Sequence, residues 1–218
     1  MALWTQWLEL IRTLLHFVST DIGLGGGLAI LVVTLLLRVT LLPLSWSIGY
    51  RGIVRQKQMV RLQPELQRLK TRFASEPRRY AEQMQALYQE NGLSMMDGRS
   101  LLSSLAQMPV LVGMYQVLRD GFSSARFLWV QSLSRPDMYF ALLAGFTTML
   151  IMAANPELPE ATRMLMIIVP SLLAAMFALK VSSALAVYWT ASNSFSAVQN
   201  LVLHRVIARR IQSGTLKV

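Results

Sequence analysis

Arg38 is the residue of this chain whose chemistry is hardest to house. It is the lone ionisable side chain in the apolar run Gly23 to Ile48, with about ten residues of apolar chain on each side. An arginine in mid-bilayer costs about 2.5 to 3.5 kcal/mol even on insertion scales, and such a charge usually persists because it faces water or a partner. The other long apolar runs, 101–118, 138–154, 164–179 and 181–203, contain no Asp or Glu that could pair with it. A lone guanidinium in that position points to a hydrated cavity. The alternative is an arginine satisfied by carbonyls or snorkelling to an interface, and its central position makes snorkelling difficult.

Other polar side chains can join such a cavity. Thr34 lies one turn before Arg38 on the same helical face, and Gln107 sits inside a second apolar run. The last run carries Trp189, Asn193, Ser196 and Asn200 as one stripe, with Ser192 and Gln199 beside it. One cation with amides and hydroxyls but no acid suits transient contact with polar or acidic chain. Taken singly, each of these residues is equally at home in ordinary interhelical hydrogen bonding, and their convergence with Arg38 is what raises the functional reading.

Enzymatic constellations fail by contrast. Cysteine is absent, so there is no thiol nucleophile, and the two histidines, His16 and His204, lie near opposite ends of the chain. No phosphate-binding glycine loop followed by Lys and Ser or Thr occurs, which leaves nucleotide hydrolysis without its usual machinery. Gly23, Gly25, Gly26 and Gly27 suit close helix packing or a flexible entry to the first run. The reading is a protein that is not an enzyme and needs neither a cofactor nor a metal.

The elements that must position Arg38 follow from composition. Of 218 residues 54% are hydrophobic and 15% charged, and the net charge is +10. A chain both greasy and basic meets either nucleic acid or a membrane surface, and the uncharged runs favour the membrane and exclude DNA as a partner. A span needs about 20 residues to cross roughly 30 Å of hydrocarbon. The expected fold class is therefore all-α: a polytopic membrane protein of five transmembrane helices, at 23–50, 100–118, 137–154, 163–179 and 180–203. Before them, residues 1–22 read as an interfacial amphipathic helix, with Trp4, Trp7, Leu8, Ile11, Leu14, Leu15 and Val18 on one face. A surface helix of a soluble domain is the competing reading. The start lacks the basic leader and cleavage box of a removed signal.

The one sizeable polar region is 51–99. Met59, Leu62, Leu66, Leu69 and Phe73 step by alternating threes and fours, and Tyr80, Met84 and Leu87 repeat that spacing after Ser75, Glu76 and Pro77. Two helices joined by a tight turn would bury these stripes against each other, with Pro64 kinking the first or opening a fresh turn. The outer surface of this antiparallel hairpin carries Arg55, Lys57, Arg61, Arg68, Lys70, Arg72, Arg78 and Arg79. Such a face could meet anionic lipids, ribosomal RNA or a protein; equally, cytoplasmic loops are basic as a rule.

Orientation follows from the positive-inside rule. With the amino end outside, fifteen Lys or Arg fall on the cytoplasmic side and five outside. The external loop is then 119–136, the second cytoplasmic loop 155–162, and 204–218 a basic cytoplasmic tail.

The chain resembles the YidC/Oxa-type membrane protein insertases. The resemblance rests on LLLRVTLLPLS around Arg38, MVRLQPELQRLKTRF and RRYAEQMQALYQENG in the hairpin, LLSSLAQMPVLVGMYQVL, FLWVQSLSRPDMYF, and ALAVYWTASNSFSAVQN, in family order and spacing. It implies a five-span core, a cytoplasmic hairpin, and a hydrophilic groove open to cytoplasm and lipid but closed outside. It further implies that Arg38 is the groove arginine, Thr34 a substrate-contacting threonine, Gln107 the groove glutamine, and Tyr188 with Trp189 the aromatic pair of the last span. Asn193, Ser196 and Gln199 join them as substrate-binding candidates. Implied partners are nascent membrane proteins, the ribosome through hairpin and tail, anionic lipids, and optionally the Sec translocon. The implied location is a prokaryotic plasma membrane, in a short form without a large periplasmic domain. Lys180 stands where the family usually has a Phe-Pro-Ser-Gly-like turn, a departure in the outer turn.

Two rival functions are distinguishable. An anion transporter using Arg38 as its binding charge would usually show internal repeats, and none relates the first and last spans. A structural subunit that only binds ribosomes or lipids would lose its role when the hairpin is deleted.

Overall fold

The computed structural model describes residues 2–93, 108–121 and 125–216. They form eight α-helices: α1 Ala2–His16, α2 Gly25–Thr40, α3 Leu42–Arg72, α4 Pro77–Glu90, α5 Met108–Gly121, α6 Met138–Ala153, α7 Arg163–Ala178 and α8 Ser183–Gln212. A π-turn, Phe17–Asp21, follows α1, and a 3-10 turn, Glu160–Thr162, precedes α7. The only extended pairing among the described residues is the isolated bridge between Phe127 and Val130. The all-helical expectation therefore holds. Gln107 and the start of the expected span at 100–118 lie outside the described residues.

The chain divides into two compact units, residues 1–45 with 107–202, and residues 46–106 with 203–218. In the first, Ile11 and Leu15 of α1, Ile30 and Val33 of α2, Met114 and Leu118 of α5, Phe140 and Ala144 of α6, and Leu185 and Tyr188 of α8 form one buried cluster. The face of α1 expected to be apolar thus packs into protein. Two indole donors fasten it: Trp7 Nε1 donates to the Pro109 carbonyl at 3.0 Å and Trp4 Nε1 to Gln116 Oε1 at 3.3 Å. Gly113 makes room for this contact, since a Cβ there would lie 2.6 Å from the Trp7 indole nitrogen. Between α6 and α7, Gly145 permits an equally close approach: a Cβ would stand 2.8 Å from Ala175 Cβ and 2.9 Å from the Ser171 carbonyl oxygen.

Residues 125–137, which lead into α6, pack onto the starts of α6 and α8. Asp137 caps α6, accepting from the Phe140 amide at 3.0 Å, and it also accepts from Trp129 Nε1 at 3.2 Å. Phe127 and Trp129 both stack on Phe140. The carbonyls of Leu133 and Arg135 accept from the first amides of α8, those of Ala184 and Ser183, so donors that a helix start leaves unpaired are satisfied by the loop.

Apolar side chains also face outward. Met164, Leu165, Ile168, Leu172, Leu173 and Met176 of α7 are all more than half exposed. By length and composition Glu160–Ala178 is long and apolar enough to cross a membrane alone, the α2 and α3 helices pass together as a broken pair, and Met138–Ala153 is apolar but shorter.

In the second unit, Ile53 of α3 packs with Leu203 and Ile207 of α8, and Arg210 lies over the Tyr50 ring at 5.5 Å. Farther along, α3 and α4 line one cavity of about 270 Å³, to which Glu65, Leu69 and Arg72 contribute from one helix and Gln83, Leu87 and Glu90 from the other. Pro77 opens α4 at a position where no amide donor is needed, and Gly92, at φ +67°, follows its end. On the expected seam Leu62 is buried, while Met59 is 38% exposed.

Three features of the helices bear on the expected segmentation. The span expected over 23–50 is broken at Leu41, because Pro43 has no amide to give the Val39 carbonyl and fits instead into the first turn of a new helix. Past residue 203, where the expected last span gives way to the tail, α8 continues to Gln212, 30 residues in all with no Gly or Pro inside it. At Pro64, where a kink or a fresh turn is expected, α3 continues without a break.

Candidate functional site

Arg38 occupies the last turn of α2. A helix C-terminus presents unpaired carbonyls and the negative end of the helix dipole, so the break imposed by Pro43 makes the position electrostatically favourable for a cation. The side chain is half-buried, and its Nη2 donates to Ser192 Oγ on α8. Arg38 Nε is shielded from solvent and has no hydrogen-bond partner among the described residues. A guanidinium carries five N–H donors. One neutral hydroxyl leaves most of them unspent, and no described carboxylate is bound to the group.

The surrounding side chains are laid out by α8. Tyr188, buried, neighbours both Arg38 and Ser192. Two turns beyond Ser192, Gln199 Oε1 lies 3.3 Å from Ser45 Oγ in the first turn of α3. Asn193 points along an adjacent line: its Nδ2 donates to Thr148 Oγ1 of α6 at 2.9 Å, and Thr148 in turn donates to the Ala144 carbonyl at 2.8 Å. Trp189 follows that same line and packs against Phe177 of α7, with ring centroids 5.5 Å apart. Thr190 Oγ1 is buried without a hydrogen-bond partner among the described residues.

The expected residues therefore divide. Arg38, Tyr188 and, with Ser45, Gln199 share the side of α8 that carries Ser192. Asn193 and Trp189 tie α8 to α6 and α7, as interhelical contacts do in apolar bundles. Ser196, half-buried, has no described hydrogen bond. Thr34 is 1% exposed within the core, and its hydroxyl donates to the Ile30 carbonyl at 2.5 Å. It shares a face with Arg38 by spacing, yet the helix buries it one turn deeper. Gln107 lies outside the described residues.

Ser192, which lies beside the polar stripe in the sequence, is the residue that meets Arg38. Ser45 and Thr148 were missed; the first lies seven residues after Arg38, a signal hidden by the helix break between them, and the second gives no signal in an uncharged run.

Of the basic residues expected on the hairpin, Arg61, Arg68, Lys70, Arg72, Arg78 and Arg79 are exposed, while Arg55 and Lys57 are half-buried. Arg79 pairs with Glu76 at 3.0 Å and Arg72 lies over Phe73 at 5.4 Å. Arg68 and Arg72 share their cavity with Glu65 and Glu90, so the surface there is of mixed sign.

Residues 17–210 match the model of the family described as 60Kd inner membrane protein. The chain belongs to that family, the YidC/Oxa-type membrane insertases. Similar family members include the membrane protein insertase MisCA of Bacillus subtilis, 31% identical over 205 residues, covering 88% of this chain and 76% of the relative. Membrane protein insertase YidC 1 of Listeria monocytogenes is 33% identical over 206 residues, covering 88% and 69%. Membrane protein insertase YidC of Aquifex aeolicus is 29% identical over 194 residues; 87% of this chain is matched, but only 37% of that longer family member.

Proposed function

We propose that this protein is a membrane protein insertase of the prokaryotic plasma membrane, which guides transmembrane segments of nascent proteins into the bilayer without nucleotide hydrolysis. Family membership and the names of its relatives support the class of activity. The observation that carries the mechanism is Arg38: a half-buried cation at a helix end, held by one hydroxyl, with donors left for an incoming acceptor.

Bilayer crossing is opposed chiefly by dehydration of the polar flank of an incoming helix. A hydrated groove around Arg38, Tyr188, Ser192 and Gln199 would shorten the dry path. Arg38 would attract an acidic flank while the apolar helix leaves along outward-facing side chains such as those of α7. The fold is read as five spans with the amino end outside. The aromatic and hydrogen-bonded closure between α5 and α8 then lies at the outer end and the α3–α4 pair, as a hairpin, in the cytoplasm. Its basic surface and the basic tail would receive ribosomes or anionic lipids, and the Sec translocon is an optional partner. For acidic flanks moving outward, the membrane potential adds about 2.3 kcal/mol per charge per 100 mV.

Site-specific crosslinking to nascent membrane proteins on stalled ribosomes tests this reading. Probes at Gln107, Ser192 and Gln199 are expected to capture the substrate. Capture from Leu172 on the outer side of α7, with none from Ser192, would refute a route past Arg38.

A further inference from the structure

A second polar site lies away from Arg38. Arg12, Thr13, Leu14, His16, Phe17 and Asp21, with Val117 of α5, line a cavity of about 560 Å³ where α1 passes into the π-turn. The π-turn itself is an irregularity of the kind that frequently marks functional sites. Arg12 and Asp21 are both exposed, and among the described residues neither forms an ion pair or a side-chain hydrogen bond. They carry opposite charges on the wall of one cavity without neutralising each other. His16 adds an imidazole, whose Nδ1 lies 3.0 Å from Thr20 Oγ1, and Thr13 adds a hydroxyl.

The remaining wall is apolar. Leu14, Phe17 and Val117 form it, and Phe17 is 51% exposed. Leu10, 49% exposed, and Leu3, 82% exposed, precede Phe17 at seven-residue intervals, two helical turns each, so an uncovered apolar line runs along α1 from the cavity. A ligand that matches this surface carries one negative and one positive charge at its polar end and a hydrocarbon body.

We propose that this cavity binds the headgroup of a zwitterionic phospholipid with a primary amine, phosphatidylethanolamine in chemical class. Arg12, helped by Thr13 and His16, takes the phosphate, and the ammonium donates to the Asp21 carboxylate. The glycerol and upper acyl chain lie on Leu14, Phe17 and Leu10. Charge selects the ligand: phosphatidylglycerol supplies the phosphate but leaves Asp21 facing uncharged hydroxyls, and the trimethylated amine of phosphatidylcholine cannot donate a hydrogen bond to a carboxylate.

Native mass spectrometry of the full chain in detergent, titrated separately with phosphatidylethanolamine, phosphatidylcholine, phosphatidylglycerol and soluble glycerophosphoethanolamine, tests the proposal. Phosphatidylethanolamine is expected to bind at least tenfold tighter than the other two lipids. Asp21→Asn should abolish that preference, and Arg12→Gln should weaken all three lipids. Both residues are exposed, and circular dichroism will verify that the variants remain folded. Equal affinity of the three lipids for the unaltered chain, or a preference that survives Asp21→Asn, overturns the site. Soluble glycerophosphoethanolamine binding as tightly as the lipid overturns the assignment to a membrane ligand.

Discussion

Replacing Arg38 by Ala separates its charge from its place in the fold. Among the described residues the side chain makes one hydrogen bond, to Ser192, and no ion pair, so its removal should cost the folded protein about 1.5 to 3 kcal/mol, the usual worth of a hydrogen bond to a charged group. The effect on substrate is separate from the effect on folding. Two unit charges 8 Å apart at an effective dielectric constant near 20 attract by about 2 kcal/mol. Because Arg38 is only half-buried, solvent screening reduces this to about 1 kcal/mol, or roughly fivefold in rate. Arg38→Ala is therefore expected to slow insertion of a substrate with an Asp-bearing translocated flank about fivefold. The same substrate with Asn in the flank should change less than about twofold. Arg38→Lys keeps the charge but loses the planar fork, and should retain part of the activity. The assay is protease protection in proteoliposomes, with both substrates run on each variant. Equal slowing of the Asp and Asn substrates, or no slowing of either, would refute the charge-attraction step.

Three further outcomes follow from the packing. Gly145→Val should destabilise the α6–α7 pair by about 1 to 3 kcal/mol, because its Cβ would meet Ala175 and the Ser171 carbonyl below 3 Å, and a lowered Tm in detergent would register it. A double-mutant cycle of Asn193→Ala with Thr148→Val should return a coupling of about 0.6 kcal/mol, the usual worth of a hydrogen bond between membrane helices; zero coupling in denaturant titrations would place Asn193 elsewhere. Asp137→Ala should cost about 0.5 to 2 kcal/mol through the lost helix cap, and it should also shift Trp129 fluorescence by freeing the indole nitrogen.

The helical class and the family were legible in the chain because both depend on local pattern. Apolar runs without charge, the threes and fours of the 59–87 stripes, and blocks such as LLLRVTLLPLS survive being read one residue at a time. Pro43 and Pro64 mark where that reading weakens. Both remove an amide donor, yet the helix breaks beside the first and continues through the second. Local sequence states that a donor is missing; the packing around it decides whether the helix ends there.

The same division governs the site. The types of its residues, and the singularity of Arg38 in an apolar run, are properties of composition. Spacing placed Thr34 on the face of Arg38 and grouped Asn193 with Ser196. Only the tertiary arrangement buried Thr34 in the core and gave Ser192 to the guanidinium. It also turned Asn193 toward Thr148 and brought Ser45 beside Gln199. Helical periodicity determines which side chains share a face, but the neighbour that a face meets is set by helices distant in sequence, and partners 154 residues apart leave no trace in local pattern.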